Sequence, residues 1–222
     1  MIAWKHYERQ ELTIQIYSLE AAVERAISLT QSTELRVIIG LVGKPGSGKS
    51  TLSNHLLKKL PKETTALVPM DGYHLSNSQL AFLGRAERKG APDTFDSSGY
   101  SNLLHRIKTT FNEEIYFPRY HREIEESIAA DGVVHPHTSL VITEGNYLLL
   151  GKDGWSQVAD MLTESWFIET DHDKRMSRLV SRHIKFGKSP TDAHAWANGT
   201  DARNAELIET TRAKADVIIN LD

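Results

Sequence analysis

The apolar residues of this chain fall into short runs separated by amphipathic stretches, and that alternation predicts the architecture. Residues 37–42 (VIIGLV) are apolar on both faces, as a central strand of a parallel sheet must be. Residues 66–70, 139–145 (SLVITEG), 165–169 (SWFIE) and 217–220 (VIIN) read as further strands. Helical spacing runs from about 50 to 60, where Pro61 ends it, from about 100 to 111, and near 155–162. A short strand at 115–117 leads into Pro118, and most of the final third is helical and charged. Strands alternating with helices predict an α/β fold with a doubly wound parallel sheet. Ligands of such sheets sit outside the carboxyl ends of the strands, so the residues that follow each strand are the ones to read for function.

Ahead of this pattern, residues 11–17 alternate, with Leu12, Ile14 and Ile16 on one side, which predicts a half-buried strand. Ser18 then caps a helix whose apolar stripe is Leu19, Ala22, Val23, Ala26 and Ile27. Residues 1–35 thus read as a strand–helix appendage packed on a main domain of residues 36–222. A length of 222 residues suits one such domain, and 40% hydrophobic content supplies a core. A net charge of −3 gives no reason to expect nucleic acid as a partner. With no cysteine there are no disulfides and no thiolate metal sites. The N-terminus lacks an apolar stretch of about seven residues and the chain lacks one near 18, so neither signal peptide nor membrane span is expected. A soluble, cytoplasmic protein, monomer or homodimer, is the expectation.

The first buried strand runs into GKPGSGKS, residues 43–50, which satisfies G-x-x-x-x-G-K-[ST]. Phosphates carry charge that must be met without bulk. Gly43, Gly46 and Gly48 let the backbone curl so that successive N–H groups point inward, and the following helix adds its positive end. Lys49 reaches the β- and γ-phosphates, and the Ser50 hydroxyl is a Mg²⁺ ligand. A chance match in a chain of this composition is on the order of 1%. The match also lies between a buried strand and a helix, as the motif requires. Gly43, Lys44, Pro45, Gly46, Ser47, Gly48, Lys49, Ser50 and Thr51 are therefore the expected nucleotide-binding segment.

Other P-loop classes leave marks that are missing here. The nearest approach to a guanine-reading N-K-x-D is Asn198-Gly199-Thr200-Asp201, which lacks the lysine. The strand at 139–145 ends Thr143-Glu144-Gly145 rather than Asp-Glu, and no LSGGQ occurs. Subtraction favours a small-molecule kinase. Asp71, in PMDGYH, falls at the end of the second strand, where a carboxylate can accept a hydroxyl proton or hold metal water. Asp-Gly is equally a turn former, and spacing alone leaves both open. Glu144 ends an apolar strand abruptly in an acid, which favours a metal role over a turn carboxylate.

GKPGSGKS, PMDGYH, ERKGAPDTFD (residues 87–96), YFPRYHRE (116–123) and VITEGNYLLL (141–150), in that order, resemble the phosphoribulokinase/uridine kinase group of P-loop kinases. That group includes bacterial type I pantothenate kinase. The resemblance spans about residues 36–220 and is strongest to the nucleoside/nucleotide kinase-like branch, often labelled "putative fructose transport system kinase". It implies ATP and Mg²⁺ as cofactors and transfer of the γ-phosphoryl group to a hydroxyl of a small molecule (sugar, nucleoside or pantothenate-like alcohol). It implies that Asp71 is the catalytic base and that Glu144 is the second nucleotide-motif acid. Tyr73, His74, Arg88, Asp93, Tyr120, His121 and Arg122 fall in its acceptor-side segments. Asp71-Gly72-Tyr73-His74 replaces the D-S-F-Y of uridine kinases, which argues against a uridine acceptor.

From Asp171, DHDKRMSRLVSRHIKFGKSP places Arg175, Arg178 and Arg182 on one helix face. Spacing alone favours a solvated basic face paired with Asp171 and Asp173. The resemblance implies an arginine-bearing lid here, about 175–200, with Arg178 and Arg182 on phosphate and Arg175 a weaker candidate. Lys185 and Lys188 read as surface charges. His135-Pro136-His137 lacks a third ligand for a metal. Trp4, Trp155, Trp166 and Trp196 read as packing residues, and a helix at 202–213, opened by Asp201, is placed to flank adenine. A nucleotide switch, or an ATPase without an acceptor, is the rival reading.

Overall fold

The computed structural model describes residues 13–220; Trp4, Glu11 and Leu12 lie outside them. The chain runs through β1 (Ile14–Ile16), α1 (Leu19–Gln31), β2 (Val37–Val42), α2 (Lys49–Lys59) and β3 (Thr65–Pro69). Then come α3 (Asn77–Phe82), α4 (Ser97–Thr109), β4 (Ile115–His121), β5 (Glu126–Val134) and β6 (Leu140–Gly145). The single turn α5 (Val158–Met161), β7 (Glu164–Glu169), α6 (His172–Lys185), α7 (Pro190–Asn198), α8 (Thr200–Glu209) and β8 (Val217–Asn220) complete it. Six strands form one parallel sheet in the order β1-β8-β7-β2-β6-β3, with helices on both faces.

Strand alternation divides the core. Val37, Ile39 and Leu41 of β2 pack with Ile142, Trp166, Ile168 and the helices α1 and α2. Ile38, Val42, Val141, Phe167 and Ile218 face the other way, toward α4, Trp155 and α8. Ser18 caps α1 by accepting from Ala21 N, as its position predicts. Ala22 and Ala26 are buried as expected, but Ile14 and Ile27 stay more than a third exposed, because only part of each stripe is covered.

The structure corrects several expectations. The strand that enters Pro118 does not stop there: β4 continues to His121 and pairs antiparallel with β5, a strand the pattern did not reveal. Proline has no N–H for the ladder, and the register shifts between Phe117 and Arg119 to step past it. The helix expected at 155–162 is a 3-10 turn (Asp153–Trp155) followed by the one-turn α5. The helix expected at 202–213 begins at Thr200 and ends at Glu209, with Asp201 inside its first turn rather than capping it. Trp155 and Trp166 are core residues, whereas Trp196 borders the main cleft. Among the described residues no helix is long and apolar enough to cross a membrane, and no metal-ligating cluster forms.

Arg36 fastens the entry to β2. Its guanidinium is buried with no carboxylate partner among the described residues and donates instead to five carbonyls: Ile107 (2.7 Å), Thr138 (2.8 Å), Thr110 (3.0 Å), His135 (3.2 Å) and Pro136 (3.3 Å). The charge thereby meets the carbonyl end of α4 and the chain leading into β6. Arg36→Met should leave those acceptors unpaired and cost about 3 kcal/mol. Thermal unfolding followed by circular dichroism should then show a midpoint lowered by roughly 6–12 °C; a shift under about 2 °C would show that the five bonds contribute little.

Candidate active site

β2, β6 and β3 end side by side, with Leu41 and Pro69 both opposite Glu144 and Val42 opposite Gly145. The segments that leave these ends build the floor of a cleft of about 780 Å³. From β2 the chain enters the glycine loop, where Gly46 (φ 84°) and Gly48 (φ 97°) take left-handed conformations that side chains resist. α2 starts at Lys49, so its unpaired N–H groups open toward the cleft. Lys49 Nζ lies along the loop and donates to Gly43 O (2.7 Å) and Lys44 O (3.2 Å). Burial, opposed by Glu144 and reinforced by Arg182, pulls its pKa down to about 8. Ser47 Oγ is buried in the loop with no partner among the described residues, a hydroxyl left over for an incoming oxygen.

Glu144, at the end of β6, receives Ser50 Oγ on one oxygen and Ser53 Oγ on the other, each at 2.9 Å. Burial raises its pKa despite those two donors. This set of hard oxygens suits Mg²⁺. Past β3, a 3-10 turn (Met70–Tyr73) carries Asp71. Burial would raise the Asp71 carboxyl, but the positive charges of Arg122, Lys49 and Arg182 around it hold it below the ordinary range. Arg122, just beyond β4, donates to Asp71 Oδ2 at 2.9 Å, and the other oxygen has no hydrogen-bond partner among the described residues. Gly72 is needed for more than a turn: a Cβ there would lie 2.0 Å from Pro118 O, where β4 crosses over.

His74 Nδ1 lies 2.8 Å from Asp71 O and therefore donates to it, because a carbonyl only accepts. Its ring lies between Phe95 (4.0 Å) and Tyr120 (4.6 Å). Burial lowers its pKa, which favours the neutral ring. Of the acceptor-side residues read from the sequence, His74, Tyr120 and Arg122 border the cleft. Tyr73, Arg88, Asp93 and His121 do not. Arg88 pairs with Asp93 at 2.5 Å on the surface, His121 pairs with Asp131 at 2.8 Å along the hairpin, and Tyr73 packs edge-on against Tyr100.

α6 is capped by Asp171, which accepts from Asp173 N and Lys174 N. Its arginine face does meet the glycine loop. Arg175 is buried and donates to Pro45 O (3.1 Å), so it holds the loop from behind. Arg178 lies over Gly48. Arg182 borders the cleft and is coupled to Arg122, Asp201 and Asp71. Neither Arg178 nor Arg182 has a carboxylate partner among the described residues. Lys185 stays on the surface, but Lys188 lies 4.2 Å from the Trp196 ring on the cleft wall. Sequence reasoning missed Lys89, Glu125, His183, Asp201 and Asn204, all of which line the cleft. Lys89 stands next to Arg88 in the quoted motif; no linear signal marks the others, which come from separate elements.

No family model matches the chain. A "putative uridine kinase" from Schizosaccharomyces pombe is 30% identical over 214 residues, covering 92% of this chain and 91% of its own. A uridine kinase from Staphylococcus epidermidis is 30% identical over 190 residues, covering 82% and 86%. The crystal structure of a "putative fructose transport system kinase" from Silicibacter superimposes with a TM-score of 0.81 at 36% identity, covering 90% of this chain and 98% of that one. With the sheet, the glycine loop and the acids at the strand ends all in place, the chain belongs to the uridine kinase-like family of P-loop kinases, enzymes that use ATP to phosphorylate a hydroxyl of a small molecule.

Proposed function

We propose that ATP lies on residues 43–51 with its γ-phosphoryl group toward Asp71, and that Asp71 is the base for the acceptor hydroxyl. The observation that carries this reading is the position of Asp71. Its carboxylate stands where Lys49, Arg122 and Arg182 all act on it, with one oxygen fixed by Arg122 and the other free. The acceptor oxygen attacks the γ-phosphorus as the bond to the β-phosphate oxygen breaks. Its proton passes to the free Asp71 oxygen, and ADP leaves. A carboxylate held below its ordinary pKa is a weak base, which suits a loose transition state in which the proton is lost late.

Ser50 and Glu144 would hold Mg²⁺, which when bound neutralises charge on the phosphates. Lys49 would move from the loop carbonyls to the phosphates. Arg178 and Arg182 would meet the transferring group when the segment from about 175 to 200 closes as a lid. The base end of ATP would lie toward a smaller hollow of about 230 Å³ lined by Lys44 and by Glu209 at the end of α8, in keeping with α8 flanking adenine. His74, Tyr120 and Arg122 would face the acceptor.

Asp71→Asn should keep ATP affinity within about threefold, read by calorimetry, while turnover falls by about 10²–10⁴. Turnover at the parent rate would remove Asp71 as the base. A second test uses Lys49. Its charge is present below about pH 8 and lost above it, so affinity for ATP should be flat from pH 6 to 7 and weaken as pH rises through 8. Calorimetry across that range checks it, and affinity that holds constant to pH 9 would contradict the assignment.

A further inference from the structure

The lysines and arginines around the cleft divide by what they hold. Six border it, against four carboxylates. On the acceptor side every cation is occupied internally. Lys89 is nearly enclosed, and its ammonium donates to Asn77 Oδ1 (2.7 Å), Glu125 O (2.6 Å) and Glu125 Oε2 (3.3 Å), which uses its three donors. Arg122 is held on Asp71. Two groups there accept: the Asp71 oxygen not held by Arg122, and the Nε2 lone pair that His74 presents once Nδ1 donates to a carbonyl. Lys49 is held by the loop carbonyls, and the remaining cations, Arg178, Arg182 and Lys188, which have no carboxylate partner among the described residues, belong to α6 and the turn after it. Two of them overlook the glycine loop and the reacting centre, and the third lies on Trp196.

A triphosphate with one divalent cation brings about two net negative charges. That matches the surplus of two cations around the cleft, so the nucleotide alone balances the wall. An acceptor bearing a carboxylate or phosphate would bring a charge for which no free cation remains beside His74 and Asp71. Its desolvation would go uncompensated.

We propose that the acceptor is an uncharged polyhydroxy compound, a free sugar, sugar alcohol or nucleoside, and that the pairing of Lys89 with Glu125 and of Arg122 with Asp71 excludes anionic analogues. This rests on the acceptor site lying around His74 and Asp71, as proposed above. Its chemistry is hydrogen-bond donation by the acceptor's hydroxyls to the free Asp71 oxygen and to His74 Nε2.

The test is a panel of matched neutral and anionic pairs, assayed with the full chain and MgATP by ADP release, with products confirmed by phosphorus NMR. Suitable pairs are glycerol and glycerate, fructose and fructose 6-phosphate, pantothenol and pantothenate, and uridine and its 5′-monophosphate. The expected result is turnover of at least one neutral member with kcat/KM at least about tenfold above its anionic partner. An anionic member that reacts as well as or better than its partner overturns the proposal, as does a panel in which no neutral member reacts. Glu125→Gln, which takes the carboxylate from Lys89, should shrink the preference for the neutral partner at least about fivefold; an unchanged ratio would show that the pairing is not its cause. Failure of the site assignment shows separately: Asp71→Asn would then phosphorylate the reactive member at the parent rate.

Discussion

Three parallel strands that end level are the constraint on which the site depends. Because β2, β6 and β3 pair in register, the glycine loop, Glu144 and Asp71 emerge at one edge within a few residues of their strand ends. Main-chain hydrogen bonds set these positions, so the chemistry does not rely on flexible side chains to find one another. The side chains then make short adjustments: Ser50 and Ser53 tie α2 to β6 through Glu144, and Arg122 comes in from the hairpin to fix one oxygen of Asp71. A one-residue slip in any of the three strands would invert every side chain along it and pull these groups apart.

Around that edge, charge is distributed by element. The sheet and its loops supply carboxylates and the cations those carboxylates hold. The helix α6 supplies Arg178 and Arg182, whose guanidinium groups have no carboxylate partner among the described residues. Burial of an unpaired cation is costly, and here the cost is kept small because Arg178 is exposed and Arg182 only half-buried. Arg175 shows the alternative: one helical turn away, fully covered, it is satisfied by the Pro45 carbonyl.

Much of this was legible in the sequence, for identifiable reasons. The buried strands declare themselves by being apolar on both faces, and the loop by glycines at positions whose φ proves to be positive. The positions of Asp71 and Glu144 were legible because Asp71 comes just past β3 and Glu144 sits at the end of the apolar β6. The hairpin was not. β5 (ESIAADGVV) is mostly exposed and carries little alternation, and Pro118 read as a stop although the ladder steps past it. Arg88 and Asp93 were chosen by resemblance, yet they pair with each other on the surface while their neighbour Lys89 turns inward. The cleft wall formed by His183, Asp201 and Asn204 had no signal, because it exists only when α6 and α8 are brought together.

Beneath α6 and α7, Leu179, Val180, Ala193 and Ala197 form a small cluster separate from the two large cores on the faces of the sheet. None of its members belongs to a strand, so it is held by helix-on-helix packing and not by the sheet's ladder. Leu179 also packs against Gly46, and Arg175 on the same helix holds Pro45, so loosening this small cluster would be felt first at the glycine loop and its arginines, while the acceptor-side groups on the β3 turn and the hairpin would keep their places.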